Sequence, residues 1–332
     1  MTRAVPRLGF LCSLLVSLSL GACAGETRED AASATQEVNG TVPRRAAPNG
    51  LRLRVLAGNI SSGNLQSYDP GEGIRILQGL APDVAILQEM NYGANMEGDY
   101  KTFVTEAFDS SFSFYAEPDV QIPNAIVSRY PIVASGAWDD PRVNNRSFVW
   151  ARIDVPGDKD LWAVSLHLLT TGTENRQVEA TALVAKLRSV VPESDYLVIG
   201  GDLNTGSRTE GCLRTLGELT RTTAPWPVDS RGNGNTSARR SKPLDWLIAD
   251  PDLDPLNVPV VIGGAQFANG LVFDSRVFPS LEDVAPTRKS DSAASNMQHM
   301  AVVRDFALPA IIAPSKPLPA DPVPSDEAPA QP

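Results

Sequence analysis

The sequence predicts an α/β domain in which two packed sheets are flanked by helices. Short runs rich in Val, Ile, Leu and Phe recur through the middle of the chain, separated by turn-forming Gly, Pro, Asn and Asp. Several stretches with helical spacing of apolar residues interrupt them, without strict strand–helix alternation. The stretch holding both patterns, residues 51–307, suits one sandwich-like domain of mixed class.

The strand-like runs are residues 51–57, 84–87, 112–116, 125–128, 132–136, 148–155, 161–166, 196–199, 244–249 and 300–306. Helical spacing appears over 72–80, 100–109, 174–190 and 208–219. The longest helix is expected to bury a face of Val178, Leu183, Val184 and Leu187, with Pro192 beyond its end as a stop. No internal repeat is visible.

The ends of the chain read differently. Residues 1–22 carry Arg3 and Arg7, then an apolar run over 8–20, the charged and hydrophobic parts of an export signal. That run is too short to span a membrane comfortably. It closes on Leu20-Gly21-Ala22-Cys23, which resembles a bacterial lipobox and implies cleavage and diacylation at Cys23. Acyl chains in pairs hold a protein stably on a membrane. The expected location is therefore lipid-anchored on a bacterial membrane, the outer one given Ala24 after the cysteine, or otherwise periplasmic or extracellular. Residues 23–50 read as a flexible tether and residues 308–332, rich in Pro and Ala, as a disordered tail.

Charge and rare residues narrow the function. The net charge of -10 argues against a general polyanion-binding surface, because such affinity comes from Lys and Arg neutralising phosphates. It leaves phosphate chemistry at one local site open, since a bound cation reverses the local field. Once Cys23 is modified, Cys212 stands alone in the mature domain, so no internal disulfide is expected. Cys212 reads as a buried small apolar residue. Histidine occurs only at 167 and 299, which makes the surroundings of each informative.

The polar residues of interest lie at the ends of apolar runs, where a rigid scaffold presents functional groups. Asn59 follows the first run, Glu89 the second, and His167 the run at 161–166. Asp202 and Asn204 follow the run at 196–199, Asp245 stands inside an apolar run, and Gln298-His299 opens the last. Structural readings exist for each. Glu89 could be a solvated strand end, and Asp245 could pair with Arg239, Arg240 or Lys242, since an unpaired buried carboxylate costs several kcal/mol or shifts its pKa.

Six segments together resemble the endonuclease/exonuclease/phosphatase superfamily, the deoxyribonuclease-I-like fold. They are Val84-Ala85-Ile86-Leu87-Gln88-Glu89; Asn124-Ala125-Ile126-Val127-Ser128-Arg129-Tyr130-Pro131-Ile132; Ser165-Leu166-His167-Leu168; Gly201-Asp202-Leu203-Asn204; Asp245-Trp246; and Gln298-His299-Met300-Ala301-Val302. They occur in the family's order, and both histidines fall on its histidine positions. The resemblance implies a four-layer αββα sandwich and metal-dependent phosphoester cleavage. It implies that Glu89 and Asn59 hold Mg²⁺, or Mn²⁺ or Ca²⁺, as oxygen ligands. It implies catalytic work for His167, Asp202, Asn204, Asp245 and His299: Asp202 on the attacking water, Asn204 on a phosphate oxygen, and His299 as base with Asp245 fixing its tautomer. His167 would stabilise charge or assist the leaving group. The chain departs from the family at Gln298, where an Asp is usual; glutamine offers an oxygen without charge. Gln298 is retained as a candidate metal ligand, and Asp291 could replace it if the intervening loop folds back.

Nothing in these motifs selects the substrate. Asn124 and the basic loop containing Arg239 and Arg240 are candidate contacts to a phosphate backbone, favouring a nuclease-like phosphodiesterase acting on nucleic acid. A sphingomyelinase-like or other phospholipid or phosphomonoester hydrolase is the alternative, in keeping with a membrane anchor. Phe267, Leu271, Val272 and Phe273 are apolar enough to touch lipid but read more simply as core. A non-catalytic, surface-anchored binding protein on the same fold is a third reading. A monomer is expected.

Overall fold

The computed structural model describes residues 50–309. The expected leader, Cys23 and all but the last residue of the expected tether lie outside the described residues, as does the expected tail from residue 310.

The elements run in order as β1 (Gly50–Gly58), α1 (Glu72–Leu80), β2 (Val84–Leu87), α2 (Glu97–Ala107), β3 (Ser113–Ala116), β4 (Ala125–Ser128) and β5 (Ile132–Asp139). There follow β6 (Ser147–Ile153), β7 (Leu161–His167), α3 (Thr173–Val190), β8 (Tyr196–Asp202), α4 (Gly211–Leu216) and β9 (Asp245–Ala249). The chain ends through β10 (Asn257–Val258), β11 (Val260–Ile262), β12 (Ala265–Phe267), β13 (Leu271–Phe273) and β14 (Ala301–Pro309). Strands β11 and β12 form a separate two-stranded ribbon. One large sheet has the order β10-β14-β1-β2-β4-β3, with β13 also paired to β14; the other is β5-β6-β7-β8-β9. Both are mixed: β1–β2 and β7–β8 are parallel, and their other neighbours antiparallel.

Alternation along the strands explains why two sheets stack. Side chains of successive strand residues point to opposite faces. Leu53, Val55 and Ala57 of β1, Val84 and Ile86 of β2, and Val302 and Phe306 of β14 meet Leu161 and Ala163 of β7, Val198 of β8 and Leu247 of β9 between the sheets. The intervening Leu56, Ala85, Leu87 and Val303 pack under α1 and α2. Trp162, Val164, Leu166, Ile199 and Trp246 pack under α3 and α4. Three apolar layers therefore separate four structural layers, the αββα sandwich the sequence predicts. Both faces of the central strands are covered, which is why they read as continuous apolar runs instead of alternating ones.

Several local expectations differ from what forms. Helix α2 starts at Glu97 because Asp99 accepts from the amides of Ala94 and Met96 at 3.0 and 3.1 Å and caps it early. Helix α4 is shorter than predicted, ending where Gly217 follows it. The buried face of α3 is Arg176, Glu179, Ala180, Leu183, Val184 and Leu187, whereas Val178 faces solvent. Two buried charged residues shift that face away from a purely apolar reading. Strands β10 to β13 carry two or three residues each, too short for a periodic signal. Phe267, Leu271, Val272 and Phe273 are buried in the core, and so is Cys212. Strand β14 extends through Leu308 and Pro309, paired to Leu51 and Gly50, so order continues two residues into the expected tail.

Candidate active site

Strand direction brings the polar ends together. Strands β7 and β8 run parallel, so His167 stands opposite Asp202; β9 returns antiparallel, so Asp202 stands opposite Asp245. The three form one cross-strand row at the edge of the second sheet. In the first sheet, β1 and β2 end beside each other, which places Asn59 and Glu89, and β14 begins beside the end of β1, which places His299. All six side chains are buried.

The contacts knit both sheets. His299 Nδ1 lies 3.0 Å from Asp245 Oδ2, and its Nε2 lies 3.5 Å from Asp202 Oδ2. Asn59 Nδ2 donates to Asp202 at 3.3 Å, and its backbone amide to Asp245 at 3.4 Å. His167 Nε2 faces Asp202 at 3.4 Å and Glu89 at 3.7 Å. Ser61 Oγ reaches Glu89 and the Asn59 side-chain oxygen at 3.3 and 3.4 Å. Gln88 Nε2 donates to Ser165 Oγ at 2.8 Å, which donates to the Leu87 carbonyl at 2.8 Å, a bridge between the sheets directly below the site.

Two backbone outliers lie here. Glu89 (φ 51) and Asn204 (φ 50) adopt the left-handed conformation. For Asn it is tolerated, but for Glu it costs on the order of 1 kcal/mol or more. Burial of a single Leu or Ile returns about 1.5–3 kcal/mol, so the core readily holds Glu89 in place. Asn204 is held by its amide to Asp202 Oδ1 and by Nδ2 to the Leu168 carbonyl, both at 2.9 Å.

Burial governs the charges. It raises Glu89 above the usual carboxylate range, offset in part by Asn59, His299 and Ser61. It pushes Asp202 up to about 7, against the pull of His299 and with the help of Asp245. For His299 burial opposes the charged form, but Asp245, Asp202 and Glu89 prevail and push it up to about 10. His167 is held well below the ordinary imidazole value by burial, then by Arg146 and His299. One neutral and one cationic imidazole thus share a pocket with three carboxylates.

That surplus of buried carboxylate fits a hard divalent cation, which prefers oxygen donors and offsets their repulsion. Among the described residues, Asp202, Asp245 and His299 bring ligand atoms within 4.8 Å of one another. Glu89 and Asn59 adjoin this group. Gln298 does not: it is exposed, and it meets the neighbouring loop through its backbone carbonyl, which accepts from Ala238. Asp291 is no replacement, because Arg75 holds both its oxygens at 2.7 and 3.0 Å.

The expected substrate contacts divide. Arg240 is tied down by Asp274 at 2.6 Å, Asp229 at 2.8 Å and the carbonyls of Asn233 and Asn235. It pins the loop instead of offering a free guanidinium. Arg239 is exposed. Asn124 is fully buried, with Nδ2 donating to the Ser147 carbonyl at 2.7 Å. Asp245 pairs with His299 and with none of the basic residues weighed from sequence. Arg146 was missed: it is buried, its Nε donates to the His167 carbonyl, and its charge acts on Glu89 and His167. No motif or periodicity around it marked it.

The sequence matches the model of the Endonuclease/Exonuclease/phosphatase family over residues 43–291, a span that stops short of His299. No curated protein matches the chain. Among solved structures, an endonuclease/exonuclease/phosphatase from Bacteroides vulgatus is similar at 15% identity and TM-score 0.53, over 77% of this chain and 99% of that one. One from Beutenbergia cavernae matches at 19% identity and TM-score 0.51, over 78% and 72%. Truncated TDP2 from Caenorhabditis elegans matches at 16% identity and TM-score 0.50, over 77% and 98%. At such identities these likenesses speak for the fold alone. With the family match over most of the chain, the protein belongs to the endonuclease/exonuclease/phosphatase family, whose members are phosphoric ester hydrolases.

Proposed function

We propose that the protein is a divalent-metal-dependent phosphodiester hydrolase that directs water onto phosphorus in line with the leaving oxygen. The observation that carries this reading is the buried convergence of Asp202, Asp245 and His299, with Glu89 and Asn59 beside them. Glu89, Asn59 and the facing oxygens of Asp202 would hold the cation, Mg²⁺ or a similar hard ion. When bound, it polarises a phosphoryl oxygen and offsets developing charge. Asp202 orients the attacking water. His299, steered through Nδ1 by Asp245, takes the proton from that water at Nε2. The neighbouring Asp245, Asp202 and Glu89 push His299 up to about 10, and a cation held among these carboxylates would lessen that pull. His167, kept neutral, presents Nε2 toward Glu89 and Asp202, where it would meet the phosphate. Asn204 lines the same edge.

Within this class we favour nuclease-like action on nucleic acid, supported by exposed Arg231 and Arg239 on the loop preceding Asp245. Arg240 lends this no support, being engaged within the protein. The phospholipid alternative is favoured by the lipobox-like Cys23. We also propose that the protein is exported and anchored through diacylated Cys23 to a bacterial membrane. Mass spectrometry of membrane fractions finding an unmodified Cys23 would sink that proposal.

The deciding assay uses purified protein with Mg²⁺ and plasmid DNA, bis-p-nitrophenyl phosphate or sphingomyelin, beside His299→Ala. Metal-dependent hydrolysis lost in the variant supports the reading. Equal inertness of both proteins on all three substrates overturns it in favour of a binding protein, and cleavage of sphingomyelin alone replaces the nucleic-acid substrate.

A further inference from the structure

Behind the strand end that carries His167 lies a second buried polar cluster, drawn from the loop after β5 and from α3. Asp140, Arg146, Arg176 and Glu179 are all buried there, Glu179 completely. Both carboxylate oxygens of Glu179 stand 3.1 Å from the Leu169 amide. Arg176, one turn earlier on α3, donates to the carbonyls of Leu169 at 3.1 Å and Thr170 at 3.3 Å, and pairs with Glu210 at 2.7 Å. Arg146 Nε donates to the carbonyl of His167 itself. Two buried arginines and a buried carboxyl thus grip consecutive peptide groups of the segment that leaves β7.

This grip matters for a specific reason. His167 Nδ1 is buried and has no hydrogen-bond partner. A catalytic imidazole is ordinarily oriented by a second partner on its other nitrogen. Here nothing holds the ring from its Nδ1 side, so apart from the Nε2 contacts to Asp202 and Glu89 its direction rests on its backbone and packing. Burying charged groups costs several kcal/mol each, and an apolar plug would hold a plain surface turn at lower cost.

We propose that Glu179, with Arg176 and Arg146, is a positioning clamp that aims His167 at the reacting phosphate by fixing the His167–Thr170 backbone. The proposal rests on the phosphodiesterase reading for its catalytic consequence, but not for the clamp itself. Burial, then the neighbouring Asp140, pushes Glu179 up to about 8. The two carboxyls therefore keep a proton at neutral pH, and a glutamine at 179 imitates that state.

The chain has two histidines, so histidine-selective NMR reads His167 and His299 separately. Full-length wild type, Glu179→Leu, Glu179→Gln and the exposed same-helix control Glu174→Gln are compared by imidazole resonances, thermal melting, and kcat and KM on bis-p-nitrophenyl phosphate with Mg²⁺. In Glu179→Leu the His167 resonance is expected to move while that of His299 stays. Its kcat falls about a hundredfold with little change in KM, the scale of a catalytic group misplaced by an ångström. Glu179→Gln restores both, and Glu174→Gln matches wild type. A Glu179→Leu protein with lowered melting but wild-type His167 resonance and kcat overturns the clamp and leaves a stability role. If Glu179→Leu does not fold, Arg176→Met takes its place: a shifted His167 resonance with lowered kcat supports the clamp, and wild-type values for both overturn it. An inert wild type would defeat the phosphodiesterase reading, and the resonances would still decide the clamp.

Discussion

His299 Nδ1 stands 3.0 Å from Asp245 Oδ2, joining a residue two positions before β14 in one sheet to the first residue of β9 in the other. Asp245→Asn keeps the shape of this contact but removes its charge and reverses the tautomer it favours. We expect kcat on bis-p-nitrophenyl phosphate to fall by about ten-thousandfold, the scale seen when a carboxylate that orients a general base is neutralised. Steady-state kinetics check this; a loss within about tenfold would mean that His299 is not oriented by Asp245.

The same pair makes metal-free stability depend on pH. His299 is raised from 6.5 to about 10, so the folded state binds the proton more tightly than the unfolded one. Its contribution is fully present below pH 6.5 and is lost as pH rises through about 10. Thermal melts in EDTA should therefore decline from pH 7 to 10, and decline less in Asp245→Asn. Parallel profiles for the two proteins would contradict the assignment.

Cation binding should stabilise the fold. A ligand at a hundred times its dissociation constant adds about 2.7 kcal/mol to a protein that binds it only when folded. We expect Mg²⁺ to raise the melting temperature of wild type and to leave Glu89→Gln almost unmoved. An equal Mg²⁺ shift in both proteins would remove Glu89 from the ligand set.

The two arginines of the loop before β9 should separate cleanly. Arg240→Ala strands Asp229 and Asp274 and should destabilise by about 3 kcal/mol. Arg239→Ala should leave melting unchanged and raise KM for DNA several-fold if the loop meets a phosphate backbone. Thermal melts and DNA cleavage kinetics read both, and an unchanged KM in Arg239→Ala would weaken the nucleic-acid reading.

Gly201 precedes Asp202 at φ 153, where an added Cβ would stand 1.9 Å from the Leu166 carbonyl oxygen. Gly201→Ala should push β8 away from β7, costing about 3 kcal/mol or more and displacing Asp202 from His167. Chemical denaturation and kcat measured together test this. Wild-type values for both would show that the strands absorb the collision.

Local sequence determined most of the scaffold and the identity of the site's members. Apolar runs long enough to show their composition became strands, and the polar residue ending each run was legible as a candidate. What sequence could not carry was partnership across distance. That Asp245 meets His299 and not Arg240 depends on β9 and β14 belonging to different sheets that stack. That Arg240 serves Asp229 and Asp274 depends on how its loop folds back, which no periodicity encodes. Gln298 read as a ligand because it stands where the resembled family has an Asp, yet adjacent residues in an extended segment face opposite ways, and here His299 is buried and Gln298 exposed. Arg146 and Glu179 were invisible for the complementary reason: a buried charge looks like a surface charge until the tertiary structure supplies the peptide groups that make its burial tolerable.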